Sequence, residues 1–438
     1  MKPLRFRLLA ATHVAATVLA AGAAPVASDV TYSQDPVTKL VTVTYSLAGS
    51  PGIPLLDICT NGVSIGWDNL RGAFGDVHKV VQNGSSTRTI YWNADKHWPG
   101  HSLDSGVTAV VRVWPVDNPP DVMVVNCDKR YAGRADCVQY FASFDQLPEG
   151  TVNCPAYKTA KKMAFRKIPA QGIVWRMGSP TSEKGRNTTF EAQHKVKLTS
   201  NYYIGVFEVT QSQYERFNGS NPSYFKTDGE MRPVEAVGWL NLRGASSVWP
   251  GSTRSEAYAS VENTSWIGKL REFAGGLKFD LPTEAQWEFA CRAGSGASYP
   301  DGSDLSVAGA ASCEFLETHS RYKNNSGADS TAGGNTLSTN DATAAVGTYL
   351  PNRWGLYDMH GNLLEWTLDF YAAYDTSVEV ADNPRGASKD SSNTEVYRST
   401  RGGSYLLAPS SDRSASRYSV KQNQGSRHVG FRLCLPLD

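Results

Sequence analysis

The 438-residue chain has no surplus of either charge. Its 43 Lys and Arg face 42 Asp and Glu, a formal net charge of +1. No basic stripe or acidic tail stands out, so nucleic acid is excluded as the expected partner. Beyond the first two dozen residues no run is long and apolar enough to span a bilayer, and no membrane span is expected in the mature chain. The seven cysteines, Cys59, Cys127, Cys137, Cys154, Cys291, Cys313 and Cys434, lack the close pairing of a zinc site. Their odd number leaves at least one thiol unpaired or paired between chains.

What is present is ordinary globular material, 40% hydrophobic and 19% charged, enough for two or three domains. The 11 Trp and 20 Tyr supply core area, with some left for a recognition face. At the N-terminus Lys2, Arg5 and Arg7 precede an apolar run from Leu8 to Ala24 that contains Ala21-Gly22-Ala23. This pattern reads as a secretory signal peptide over residues 1–23 and predicts an exported protein: periplasmic, cell-surface or extracellular. Export would permit disulfides, whose connectivity the spacing leaves open.

Residues 29–125 read as an all-β, sandwich-like domain. Leu40–Tyr45 alternates apolar and polar, Thr87–Trp92 and Val107–Trp114 are further strand candidates, and Asn83-Gly84 is a turn signal. Residues 126–161 show little periodicity and read as a connector. From residue 162 to 438 helix starts become legible. Thr210-Gln-Ser-Gln213 and Thr283-Glu-Ala-Gln286 fit capping boxes, the second helix ending at Gly294. Few helices, short strands and Gly- and Asn-rich loops make this second domain α+β.

Seven stretches in this region occur in a characteristic order. They are Met177-Gly-Ser179, Asn201 to Thr210, Arg232-Pro-Val-Glu235, Leu281 to Gly294, Pro351 to Trp366, Arg401-Gly-Gly-Ser404 and Gly430-Phe-Arg-Leu433. Together they resemble the formylglycine-generating enzyme, or sulfatase-modifying factor, family. The resemblance implies a C-type lectin-like fold dominated by loops. In the oxidising enzymes of that family two cysteines follow the Arg-Gly-Gly-Ser motif and bind copper, a task suited to soft thiolates. Here those positions hold Leu407 and Asp412, so no catalytic residue is assigned and copper is not expected. Ser404 alone remains, as a turn residue. Iron held by histidines, known in other branches, needs clustered imidazoles, and His194, His319, His360 and His428 are scattered.

The resemblance also implies a structural calcium, held by side chains of Asp358 and Glu365 and carbonyls of Gly361 and Leu363. Hard oxygen ligands on a loop suit that ion. The stretch Tyr405–Tyr418 is similar to the diversified region of variable proteins of this fold. On that basis Tyr405, Leu406, Leu407, Ser411, Ser416 and Tyr418 are expected on one exposed, ligand-binding surface. Three functions remain open: a non-catalytic module binding a protein or cell-surface ligand, a family enzyme whose chemistry does not use the cysteine pair, and a structural envelope protein.

Overall fold

The computed structural model describes residues 23–103, 106–128, 137–251, 253–310, 312–326, 343–387 and 395–437. Residues 1–22, within the segment read as a signal peptide, lie outside them. Among the described residues no helix is long and apolar enough to cross a membrane.

Seven strands form the N-terminal domain: β1 Val26–Gln34, β2 Leu40–Ala48, β3 Gly52–Thr60, β4 Val63–Ser64, β5 Phe74–Gly75, β6 Gly84–Asn93 and β7 Val107–Pro115. They make two antiparallel sheets, β1-β2-β6-β5 and β4-β3-β7. In β2 alternate residues Val41, Val43, Tyr45 and Leu47 point inward. They meet Leu56 and Ile58 of β3 and Ile90 and Trp92 of β6 in one apolar core. Each such side chain removed from water contributes about 1.5–3 kcal/mol. Asn83-Gly84 does not close a two-residue hairpin; Gly84 opens β6 instead.

The second domain adds β8 Val122–Asn126, β9 Val138–Phe141, β10 Lys162–Ile168, β11 Val174–Met177, β12 His194–Lys197, β13 Tyr202–Gly205, β14 Leu364–Phe370, β15 Ala381–Asp382, β16 Tyr397–Arg401, β17 Arg417–Lys421, β18 Val429–Gly430 and β19 Cys434–Pro436. Three sheets result, in the orders β19-β13-β10-β8-β9, β11-β12-β15 and β17-β16-β14-β18. The strands β8 and β9 correct the expected domain limits. Residues 122–125, read with the sandwich, and residues 138–141, read as connector, pair instead in the second domain's largest sheet. Every residue of β8 is buried, because β8 runs inside the sheet with both faces covered. Such a strand shows an apolar run without the period-two signal that would assign it to a sheet.

The helices are short. Thr210 caps Gln211–Asn218 and Thr283 caps Glu284–Arg292, each with the reciprocal glutamine of a capping box. The second ends one residue earlier than expected, with left-handed Ala293 at its cap and Gly294 following at φ +89°. The two domains touch at His78. Its Nδ1 lies 2.9 Å from the Tyr140 carbonyl of β9, its carbonyl accepts from the Tyr140 amide, and its ring stacks on Phe141. No disulfide joins any of the seven cysteines.

Candidate functional site

The quoted motifs contact one another through buried ion pairs. Arg401, at the end of β16, donates to Glu288 and to the Ser414 and Ala415 carbonyls. Glu288 also receives Arg292 at 2.8 Å. Arg417 closes on Glu284, and Arg413 on Glu183 and Glu191. Arg432 takes both oxygens of Glu365. The capped helix Glu284–Arg292 thereby carries two acids to the β16 and β17 arginines. Buried charges need such partners, since an unpaired one costs several kcal/mol.

Beside this lattice lie the positions that hold thiolates in the oxidising enzymes. Leu407 is half-buried and its amide donates to the Ser404 carbonyl, closing a turn after the Gly-Gly pair. Asp412 is fully buried, and among the described residues no guanidinium or ammonium pairs with its carboxyl, whose nearest polar neighbours are the Ser404 amide and the Ser320 hydroxyl. Burial holds its pKa well above the usual carboxylate range, with the Ser404 amide and Ser320 hydroxyl opposing that rise. Burial therefore favours the protonated form of this carboxyl. The Asp412 backbone carbonyl lies 2.6 Å from His360 Nδ1. His360 Nε2 in turn is 3.4 Å from Cys291 Sγ. This order resembles a nucleophile–base pair, but its electrostatics oppose that use. Burial pushes the Cys291 thiol up to about 12 and His360 down to about 4, so the proton stays on sulfur. No local pattern links this pair, since Cys291 and His360 sit 69 residues apart.

The loop from Asp358 to Leu363 is shaped by backbone. Asp358 and Asn362 both adopt positive φ, and Gly361 has φ +72°. A Cβ on Gly361 would stand 2.2 Å from Ser320 Oγ and 2.4 Å from the Arg321 carbonyl. Asp358 Oδ2 accepts from the Gly347 amide at 2.7 Å, while Oδ1 accepts from nothing although the side chain is buried. Glu365 is already engaged by Arg432 and by Trp287 Nε1 at 2.6 Å. A third acid, Glu208, accepts from Asn362 Nδ2 and the Leu363 amide. Three buried acids thus surround one guanidinium. Burial pushes Asp358 up to about 6 and Glu208 well above its usual range, and the acids raise one another further. A hard cation such as calcium would meet here an excess of negative charge and an Asp358 oxygen without a donor among the described residues. Glu365 fits less well, because both its oxygens are taken. Among the described residues no three His, Cys, Asp or Glu side chains converge as a metal cluster. Glu208 was missed as a site residue although it lies within the quoted Asn201–Thr210 stretch; nothing in its spacing ties it to Asp358.

The expected recognition face is split. Leu406, Leu407, Ser411 and Tyr418 are half-buried, with Tyr418 Oη 2.5 Å from Ser411 Oγ. Tyr405 and Ser416 are buried, which corrects their expected exposure. Tyr405 packs edge-on against Phe225 beside Leu363, filling space under the surface, and the Ser416 hydroxyl donates to the Ser410 carbonyl. Among the described residues the histidines weighed for iron do not gather: His194 packs at a tilt against Tyr374, His428 lies by Ser426, and His319 and His360 share a neighbour, Phe315.

Fold and ionic scaffold define an α+β domain whose motifs are borne on loops and pinned by arginine–carboxylate pairs. The model of the sulfatase-modifying factor enzyme 1-like domain matches residues 159–436, and the chain belongs to that family. The formylglycine-generating enzyme of Mus musculus is 26% identical over 303 residues, 61% of this chain and 74% of that protein. The formylglycine-generating enzyme of Streptomyces coelicolor is 32% identical over 202 residues, 44% of this chain and 59% of its own length. Among solved structures, Treponema denticola variable protein 1 covers 63% of this chain and 95% of its own, at 25% identity and a TM-score of 0.43.

Proposed function

We propose that the family domain of this chain is a non-catalytic binding module carried by an exported protein and braced by a structural calcium. The observation that carries this reading is Asp412. The position of the second copper thiolate holds a sealed carboxyl that burial biases toward its protonated form, and the position of the first holds Leu407. A carboxyl deprived of its charge and a leucine give copper(I) no soft ligand. Cys291, a buried thiol near Asp412, keeps its proton. With chemistry removed, the fold still offers a surface. Leu406, Leu407, Ser411 and Tyr418 form its partly exposed centre, and the exposed residues Ser419, Asn423 and Gln424 follow on the same chain segment. Aromatic area mixed with small polar groups suits recognition of a protein or cell-surface ligand.

The calcium would be held by Asp358, with carbonyls of Gly361 and Leu363 and the acids Glu208 and Glu365 nearby. It would supply positive charge to a buried, acid-rich loop and so order the chain beneath the recognition surface. The decisive test is incubation of the purified protein with a Cys-x-Pro-x-Arg peptide, with and without copper, followed by mass spectrometry. The peptide is expected unchanged. Turnover to formylglycine would overturn the non-catalytic reading.

A further inference from the structure

A cavity of about 430 Å³ lies beneath the loop that follows β14. No residue of the Asp412 site or of the Asp358 loop lines it. Met177, Val378, Ala381, Pro384 and Ala387 give it aliphatic walls, and Asp369 reaches it from the end of β14. Asp369 is 2% exposed. Its Oδ2 accepts from the Glu284 amide at 2.6 Å and so caps the first turn of the helix Glu284–Arg292. Among the described residues nothing donates to Oδ1, and Asp369 has no ion-pair partner.

The neighbouring cations are committed elsewhere. Arg417 closes on both oxygens of Glu284 and donates to the Phe190 and Ala372 carbonyls. Arg398 donates to the Trp249 and Leu368 carbonyls and to Gln422. Arg385 donates to the Pro250 carbonyl. The aromatic faces are committed as well. The Arg398 guanidinium lies 3.7 Å from the Phe370 ring centre and that of Arg417 3.9 Å from Tyr374, which also packs at a tilt against His194. A flat or quaternary cation would therefore find no free ring there. What remains is the unbonded Asp369 Oδ1 and aliphatic wall, with the exposed Asp375 and the half-buried Arg385 also on the lining, in a volume typical of small-ligand sites.

We propose that this cavity binds an aliphatic primary amine as its ammonium ion, the –NH3+ hydrogen-bonded to Asp369 Oδ1 and the alkyl body against the aliphatic walls. An ammonium would supply the counter-charge that the fold withholds, and a buried acid gains most from such a partner. Burial pushes Asp369 up to about 7, in keeping with an acid short of positive charge. The inference does not rest on the calcium or on the recognition surface.

The test is calorimetric titration of the full chain with n-hexylamine, and with n-hexanol as its uncharged counterpart. Saturable one-to-one binding of hexylamine is expected, at least about tenfold tighter than hexanol, the factor set by one hydrogen bond to a charged group. Asp369→Asn keeps an oxygen for the Glu284 amide and removes the charge. It is expected to retain the native circular dichroism and to lose about tenfold or more in hexylamine affinity. Should that variant fail to fold, Ala387→Phe narrows the cavity without touching the helix cap and is expected to abolish binding. Absence of saturable binding by the native chain, equal binding of amine and alcohol, or native-like amine affinity in a folded variant overturns the proposal.

Discussion

Gly403 and Asp412 are in direct contact: a Cβ on Gly403 would stand 1.7 Å from Asp412 Oδ1. The second glycine of the Arg-Gly-Gly-Ser motif, at φ +78°, is thus the floor on which the buried acid rests. Left-handed backbone and lack of space both require glycine there.

That contact fixes a pH dependence. The folded Asp412 carboxyl stays protonated far above the usual range, whereas in the unfolded chain it ionises near about 3.9. Across that window the folded state holds the extra proton, so this group's contribution to stability falls as pH rises. Asp412→Asn carries no such dependence. The melting temperature of Asp412→Asn minus that of the native protein is expected to grow between pH 4 and pH 8. A difference that stays flat would show that Asp412 ionises normally.

Arg432 is the one guanidinium among Glu208, Asp358 and Glu365. Arg432→Met leaves these acids without it and is expected to cost at least about 3 kcal/mol in urea unfolding. Glu365→Gln removes an acid while keeping an oxygen for Trp287 Nε1, and is expected to cost less. The reverse order would mean that the cluster is not short of positive charge.

Calcium follows from the same cluster. EDTA is expected to lower the melting temperature of the native protein and not that of Asp358→Ala. A metal held only by the folded state stabilises by about 2.7 kcal/mol at a hundredfold excess over its dissociation constant. Equal EDTA shifts in both proteins would remove the ion from this loop. Glu365→Ala is a poorer probe, because it also breaks the Arg432 pair.

At the domain junction, burial pushes His78 down to about 4 from its ordinary 6.5. The unfolded chain takes up the proton first, so stability is expected to fall as pH drops from about 6.5 to about 4, by about 3 kcal/mol from this group. His78→Gln should flatten that part of the stability profile, as read by denaturant unfolding at pH 7, 5.5 and 4. An unchanged slope would place the acid sensitivity elsewhere.

Much of the fold was legible in local pattern. The strands from Leu40, Thr87 and Val107 were readable because one face of each sheet is buried and one is not. The capping boxes at Thr210 and Thr283 were readable because their hydrogen bonds join residues three apart. The strand β8 was misassigned because full burial erases alternation.

The sequence by itself determined the family, the two missing thiolates and the loop that carries Asp358, since each is an identity at a motif position. Tertiary structure alone decided what those identities mean. It buried Tyr405 and Ser416, enclosed Asp412 away from water, brought Glu208 to Asp358 and Arg432, and left Asp369 facing a cavity. The physical reason is that protonation and exposure depend on desolvation and on charges that approach through space. Those neighbours lie tens to hundreds of residues away along the chain, where no local period records them.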